Sequence, residues 1–281
     1  MTEYSVIGQS IINVAKTKQM HFFFHQDSNW NIGTYNPNIQ YGMPLKINGR
    51  KIERVNQFNF LGIQIMSTLS WKVHTDLICS KLSKNVGMLH QLKNRVPFQT
   101  LKMLYNTLIQ SYLNHGILTW GYSPGRVGTL QNKAVRAITR ARYNAHAEPI
   151  FKRLKVLRVN EILTQRGLKF YYWLKNNEVP LYFQDMFRTG IANHGHNTRG
   201  SQNIQALNSR TVGATKCLRY LIPDHIEKVD KCVLEKVKTH SPDGFANYAK
   251  QFLLSNYSET PCLDTPGNEV CEECLRLKRL L

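Results

Sequence analysis

The spacing of apolar residues changes character at Ser67, and this change constrains the fold more than any other feature of the chain. Downstream of it, apolar side chains recur every three or four residues, as on one face of an α-helix. Val73, Leu77, Ile78, Leu82, Val86, Leu89 and Leu92 predict a first helix, closed before Pro97. Phe98, Leu101, Leu104, Tyr105, Leu108, Ile109, Tyr112 and Leu113 predict a second, with a cleaner stripe. The turn-rich stretch GYSPGRVG, residues 121–128, then interrupts the series. Val127, Leu130, Ala134, Ile138 and Ala141 predict a third helix, Glu148-Pro149 opens a short fourth, and Val159, Ile162, Leu163, Phe170 and Leu174 mark a fifth. Core packing is the expected role of every one of these stripes.

Upstream of Ser67 the pattern is strand-like. An aromatic run, Met20 to His25, is followed by a polar loop from Gln26 to Gly42 and by LKINGRKIERV, residues 45–55. Asn48-Gly49 within that segment predicts a two-residue hairpin, because both residue types accept the positive φ of a type I′ turn. Phe58, Phe60, Leu61, Gly62, Ile63 and Ile65 read as a nearly continuous apolar strand buried on both faces. Beyond Pro180 the pattern weakens. Residues 189–215, rich in Asn, Gly, Ser and Thr, predict an extended loop. Helices are expected near 224–239 and 244–256, and the tail after Ser258 is irregular. The predicted fold is mainly α with a small N-terminal antiparallel β-sheet.

Charge is distributed as unevenly as periodicity. The 84 residues from Leu77 to Asn160 contain fourteen Lys and Arg and a single carboxylate, Glu148. They therefore hold thirteen of the chain's nineteen net positive charges. A surface this one-signed faces a polyanion. The same segment lacks the paired carboxylates that bind magnesium for nucleotidyl transfer, so it can grip nucleic acid but not by itself polymerise or cut it. On the third helix, Lys133, Arg136 and Arg140 project about a quarter turn away from the apolar stripe. This basic ridge is expected to contact phosphates and, lying off the packed face, to matter little for stability. Lys152, Arg153, Lys155 and Arg158 extend the field.

Asn13-Val14-Ala15-Lys16-Thr17-Lys18 is followed by a strand and by the Asn-Gly hairpin with Ile52-Glu53-Arg54-Val55. Phe58-Asn59-Phe60-Leu61-Gly62-Ile63, Leu69-Ser70-Trp71 and His74 come next. The order of these pieces resembles the end of the reverse transcriptase of non-LTR (LINE-type) retrotransposons. Tyr105, Tyr112 to Gly116 and Trp120-Gly121 look like the family's thumb helix and its signature, and Leu130 to Arg136 looks like its following helix. His194, His196, Thr198 and Arg199 resemble an H-x-H-x-T-R element beyond the thumb. Cys217 to Tyr220 with Ile222-Pro223, then Ser241 to Tyr248, resemble the segment after it. The resemblance covers roughly residues 11 to 260.

The departures carry as much information. The family's Asp-Asp box and an earlier palm Asp hold two catalytic magnesium ions. This chain has no Asp-Asp pair, and its first Asp is Asp27. The resemblance thus implies a palm remnant with a hairpin over 1–66, a helical thumb-like domain over 67–145, a C-terminal helical region over 146–257 and a Cys-containing tail over 258–281. It also implies that this chain alone is inactive, with no catalytic residue and no cofactor of its own. The function it points to is binding of RNA or an RNA–DNA hybrid through backbone phosphates. The alternative is part of a working polymerase whose fingers and palm come from another chain or a missing upstream sequence. The nucleic-acid-binding residues are expected to be Lys133, Arg136, Arg140, Lys152, Arg153, Lys155 and Arg199. Phe60, Leu61 and Gly62 match the family's primer grip, although a buried hairpin strand is the expected role here. Lys16 and Lys18 match a Lys-bearing motif behind the palm and are expected to be solvated charges.

Other chemistries find little support. Cys262, Cys271 and Cys274 form C-x8-C-x-x-C, one ligand short of a structural zinc site, so the tail is not expected to hold zinc. His194 and His196 lack a nearby Cys or carboxylate, and a role for Arg199 on a phosphate or a carbonyl is expected instead. No G-x-S-x-G, P-loop or H-E-x-x-H element occurs. No run of eighteen apolar residues suggests a membrane span. The N-terminus lacks the features of a secretory or transit peptide, and six scattered Cys read as reduced thiols, which together predict a nuclear or cytoplasmic protein.

Overall fold

A computed structural model describes residues 4–7, 10–22, 45–187, 204 and 217–257. The chain divides into two compact units, Met1–His74 and Thr75–Leu281. Helices dominate, and the described strands form four small two-stranded pairs.

In the first unit, β1 (Tyr4–Ile7) pairs antiparallel with β2 (Ser10–Asn13). Asn13 then caps a turn, its side-chain Oδ1 accepting from the backbone N–H of Ala15 at 3.1 Å and Lys16 at 3.3 Å. β3 (Lys18–Gln19) pairs with β6 (Glu53–Arg54), and this pair is parallel, whereas the sequence predicts a wholly antiparallel sheet. Lys18 forms a salt bridge with Glu53 rather than standing as a solvated charge, while Lys16 is exposed. β4 (Lys46–Ile47) and β5 (Arg50–Lys51) close the predicted hairpin, with Asn48 at φ 52° and Gly49 at φ 76°.

The segment expected as one buried strand is instead a second hairpin. β7 (Gln57–Phe60) and β8 (Ile63–Met66) pair antiparallel about Leu61-Gly62, whose φ values are 50° and 84°. A two-residue turn at positive φ reverses the chain where an apolar run alone suggests continuation. Every residue of β7 is exposed, with Phe60 at 55%, and Leu61 in the turn is 78% exposed. Burial of this strand is therefore corrected: a run of apolar residues signals burial only where another layer covers it.

The second unit is helical. α1 (Lys72–Leu92) matches its predicted range and ends before Pro97. α2 (Phe98–Tyr105) runs without a break into a π-helical turn, Asn106–Gln110, and then into α3 (Ser111–Asn114). Leu101, Tyr105, Ile109 and Leu113 are all fully buried. Along a straight α-helix the twelve steps from Leu101 to Leu113 would rotate the stripe by about 120°. The wider π turn removes part of that drift and keeps the four side chains on one packed face. It is buttressed by Asn85, whose side-chain amide donates to the Leu108 carbonyl at 2.6 Å.

Gly116 at φ 58° then turns the chain into α4 (Ile117–Trp120). Trp120 is fully buried and donates its indole N–H to the His115 carbonyl at 2.9 Å. After the predicted break come α5 (Val127–Thr139), α6 (Ala147–Leu154) and α7 (Val159–Lys175). α5 stops two residues short of the predicted Ala141, because Arg140 takes a left-handed C-cap at φ 57°. α8 (Leu181–Met186) follows.

The final helices differ from expectation in their bounds. α9 (Leu218–Glu227) starts earlier than predicted. α10 (Lys231–Glu235), a 3₁₀ turn (Lys236–Lys238) and α11 (Pro242–Ser255) follow. Ser241 caps α11, its hydroxyl accepting from the Gly244 N–H at 3.2 Å, with Pro242 at the first helical position. α7 is the hub of this unit and contacts α3, α4, α5, α9 and α11. Its many packing partners explain why Leu168 and Tyr172 serve one apolar cluster while Phe170 and Leu174 serve another.

Gly121 shows how tightly these helices meet. A Cβ there would lie 2.5 Å from the Ile117 carbonyl oxygen, 2.7 Å from Ile117 Cγ1 and 3.2 Å from Leu163 Cδ1. Its φ of −64° suits any residue, so the requirement for glycine is steric alone. Gly121→Ala is expected to destabilise the protein by about 1–3 kcal/mol through overpacking. Urea denaturation measures this, and an unchanged midpoint would refute the steric assignment.

Candidate nucleic-acid interface

The basic ridge on α5 is less uniform than its sequence suggests. Lys133 is exposed, as expected. Arg136 and Arg140 are half-buried and bind the protein's own backbone. Arg136 Nε donates to the Ala145 carbonyl at 2.8 Å. Arg140 donates through Nε to the Lys93 carbonyl at 2.6 Å and through Nη2 to the Val96 carbonyl at 3.3 Å. These arginines hold down the 140–146 loop and the end of α1, so the expectation that they matter little for stability is corrected. A helical wheel gives direction but not what the neighbouring loops offer, and the carbonyls of the turn after α1 attract a guanidinium.

The field around these groups is positive. The His90 imidazole is held below its ordinary pKa, chiefly by burial and then by the charges of Lys93 and Lys133. Burial also lowers the pKa of Arg136. On α6, Lys152 donates to the Tyr257 carbonyl at 3.0 Å, while Lys155 caps the helix at φ 55° and is exposed. Arg153 is half-buried. Glu148, the segment's one acid, is bridged by Arg158 at 2.9 Å. Arg158 also stacks over the rings of Phe151 and Tyr257, at 5.8 Å and 5.2 Å to the centroids.

Between α5, the loop before α6 and the start of α7 lies a cleft of about 350 Å³. Its walls carry Arg136 and Arg158, the amides of Gln131, Asn132, Asn144 and Asn160, and His146 and Glu148. With Glu148 paired to Arg158, this lining presents positive charge and neutral hydrogen-bonding groups, a set suited to phosphate and base edges.

Gln131 forms the floor of the cleft and is only 1% exposed. Its Nε2 donates to the Tyr105 hydroxyl at 3.0 Å and to the Leu157 carbonyl at 2.9 Å. Its Oε1 accepts from the Val159 N–H at 2.9 Å. Burial raises the pKa of the Tyr105 phenol, and the bond from Gln131 opposes that rise in part. The sequence places Gln131 beside an apolar stripe drawn through Leu130, yet Leu130 is half-buried. The buried face runs instead through Val127, Gln131, Ala134, Val135 and Ile138. A glutamine at core spacing four residues after Val127 is the signal that would have found it.

Other expected sites fall elsewhere. Arg199, His194, His196, Thr198, Cys262, Cys271 and Cys274 lie outside the described residues. Phe60, Leu61 and Gly62 form the hairpin end in the first unit. Two-metal magnesium chemistry requires clustered carboxylates. Among the described residues no three His, Cys, Asp or Glu side chains come together, and Glu53, Glu148, Asp224 and Asp243 each pair with a cation. The described residues therefore do not fit such a site. Among them, too, no helix is long and apolar enough to cross a membrane.

Gln131→Leu is expected to strand the Val159 N–H and the Leu157 carbonyl and to cost about 2–4 kcal/mol. Arg140→Ala is expected to cost about 1–3 kcal/mol, and Lys133→Ala less than about 0.5 kcal/mol. Denaturant titration of the three variants checks the order. Equal effects for Arg140→Ala and Lys133→Ala would overturn the division of the ridge.

Over 134 residues the chain is 24% identical to the "Probable RNA-directed DNA polymerase from transposon BS" of Drosophila melanogaster. That alignment covers 45% of this chain and 15% of the fly protein, so the chain matches a small part of its relative's length. No family model matches, and no solved structure matches. The similarity supports a relationship between this chain and the reverse transcriptases of transposable elements.

Proposed function

We propose that this chain is a C-terminal, thumb-side portion of a retrotransposon RNA-directed DNA polymerase and binds RNA or an RNA–DNA hybrid through backbone phosphates. The observation that carries the proposal is the near-absence of acid across 77–160, where the lone Glu148 is already neutralised by Arg158. A protein surface that keeps so many like charges together gains by releasing counterions from a polyanion. Lys133 and Lys155 supply freely exposed charge. The proposal also assigns phosphate contacts to Lys152, Arg153 and Arg199. Arg136 and Arg140 use one and two of their donors on carbonyls, and a guanidinium has five, so both keep donors for phosphate.

In this proposal the chain has no catalytic carboxylates of its own. Nucleotide incorporation requires magnesium held by a palm from another chain or from upstream sequence, and the present residues hold template and primer.

Two measurements test the proposal. Titration of a labelled RNA–DNA hybrid at several salt concentrations is expected to give a steep log K against log salt dependence. Lys133→Ala/Lys155→Ala should reduce the magnitude of that slope by roughly 2 with folding intact. A flat salt dependence, or a slope unchanged in the variant, would overturn the phosphate assignment. Separately, the purified chain is expected to extend no primer with magnesium or manganese. Metal-dependent incorporation that survives rigorous purification would overturn the claim that catalysis resides elsewhere.

A further inference from the structure

The loop at 140–146, between α5 and α6, carries one large aromatic side chain, Tyr143, which is 90% exposed. The loop is held at several points. Ala141 donates its N–H to the Arg136 carbonyl at 3.0 Å, and Ala145 donates its N–H to the Arg142 carbonyl at 3.2 Å. Arg136 Nε in turn grips the Ala145 carbonyl at 2.8 Å. Tyr143 therefore rides on a closed turn tied to α5. Its ring meets solvent.

What adjoins that turn gives the ring a use. The next residue, Asn144, lines the cleft together with Arg136, Arg158 and Asn160. The guanidinium and amide groups suit phosphates and base edges, and a flat, exposed ring on the residue next to Asn144 suits the face of a base. Stacking of this kind needs a base that is free of its own neighbours. A duplex keeps its bases stacked inside, whereas an unpaired strand can turn one out onto an aromatic ring. We infer that the cleft takes an unpaired nucleic-acid strand, with a base stacked on Tyr143 and the adjoining backbone on the Arg136 and Asn144 side. This rests on the proposed function and sharpens it: at this place the bound strand is single.

The experiment compares a short single-stranded RNA carrying 2-aminopurine with an RNA–DNA hybrid of the same sequence, both titrated against the full chain. Tyr143→Ala should weaken single-strand binding by roughly 5- to 100-fold and abolish the change in 2-aminopurine emission on binding. Hybrid affinity and the salt slope should be unaltered, because the ring carries no charge. Tyr143→Trp should restore both affinity and emission change. The ring is exposed, so thermal unfolding of the variants should match the parent and exclude misfolding as the cause. Single-strand binding that is unaffected by Tyr143→Ala, an equal loss on single strand and hybrid, or no recovery with Trp would each overturn the stacking assignment. Parent protein that binds neither nucleic acid would instead overturn the proposed function itself.

Discussion

The side-chain amide of Gln131 closes three pieces of the helical unit at once. Through Nε2 it reaches the hydroxyl of Tyr105 on α2 and the carbonyl of Leu157 between α6 and α7, and through Oε1 it takes the first N–H of α7. Each of these groups is costly to bury alone, and a neutral amide satisfies all of them without bringing in a charge. The consequence reaches beyond the junction. Because α7 is the helix against which α3, α4, α5, α9 and α11 pack, the place where its N-terminus is tied sets the geometry of both apolar clusters. The cleft exists because the same junction holds α5, the loop before α6 and the start of α7 around a polar floor.

A surface with so little acid has to manage its own repulsion, and the fold does so by giving cations internal work. Arg140 holds the turn after α1, Arg136 ties the loop that follows α5, and Lys152 holds the carbonyl of Tyr257. Arg158 joins Glu148 to two aromatic rings. Guanidinium groups suit this work because their several donors point in fixed directions in one plane. Charges engaged in this way still contribute to the field that a polyanion meets, while Lys133 and Lys155 remain free to move toward a phosphate. Cations engaged by the fold and cations left exposed are thus neighbours on the same helices, and only their partners distinguish them.

Periodicity made the helical unit legible in outline. The stripes that begin at Val73, Phe98, Val127 and Val159 correspond to α1, the α2–π–α3 segment, α5 and α7, because amphipathic spacing reports directly which face is covered. It failed where a backbone device replaced the regular period. The π turn at Asn106–Gln110 is invisible to a 3.6-residue template, which already fits its apolar residues. The Leu61-Gly62 turn lay hidden inside an apolar run, although a glycine there matched the logic that revealed Asn48-Gly49. The cleft was legible only in its charge. Its floor depended on recognising Gln131 as a core position.

The residues that carry the resemblance to reverse transcriptases are, where the structure describes them in the helical unit, mostly residues that fix the fold. Tyr105 and Trp120 are fully buried with their polar atoms paired, Gly116 turns the chain at positive φ, and Gly121 has no room for a Cβ. Such positions are restricted by packing density and hydrogen-bond satisfaction, which are reasons unrelated to chemistry on a substrate. The groups that a nucleic acid would touch, Lys133, Lys155 and Tyr143, are exposed and free of those restrictions. The residues that carry the resemblance and the residues open to a polyanion are therefore largely different sets, the first fixed by packing and the second by the excess of cations at the surface.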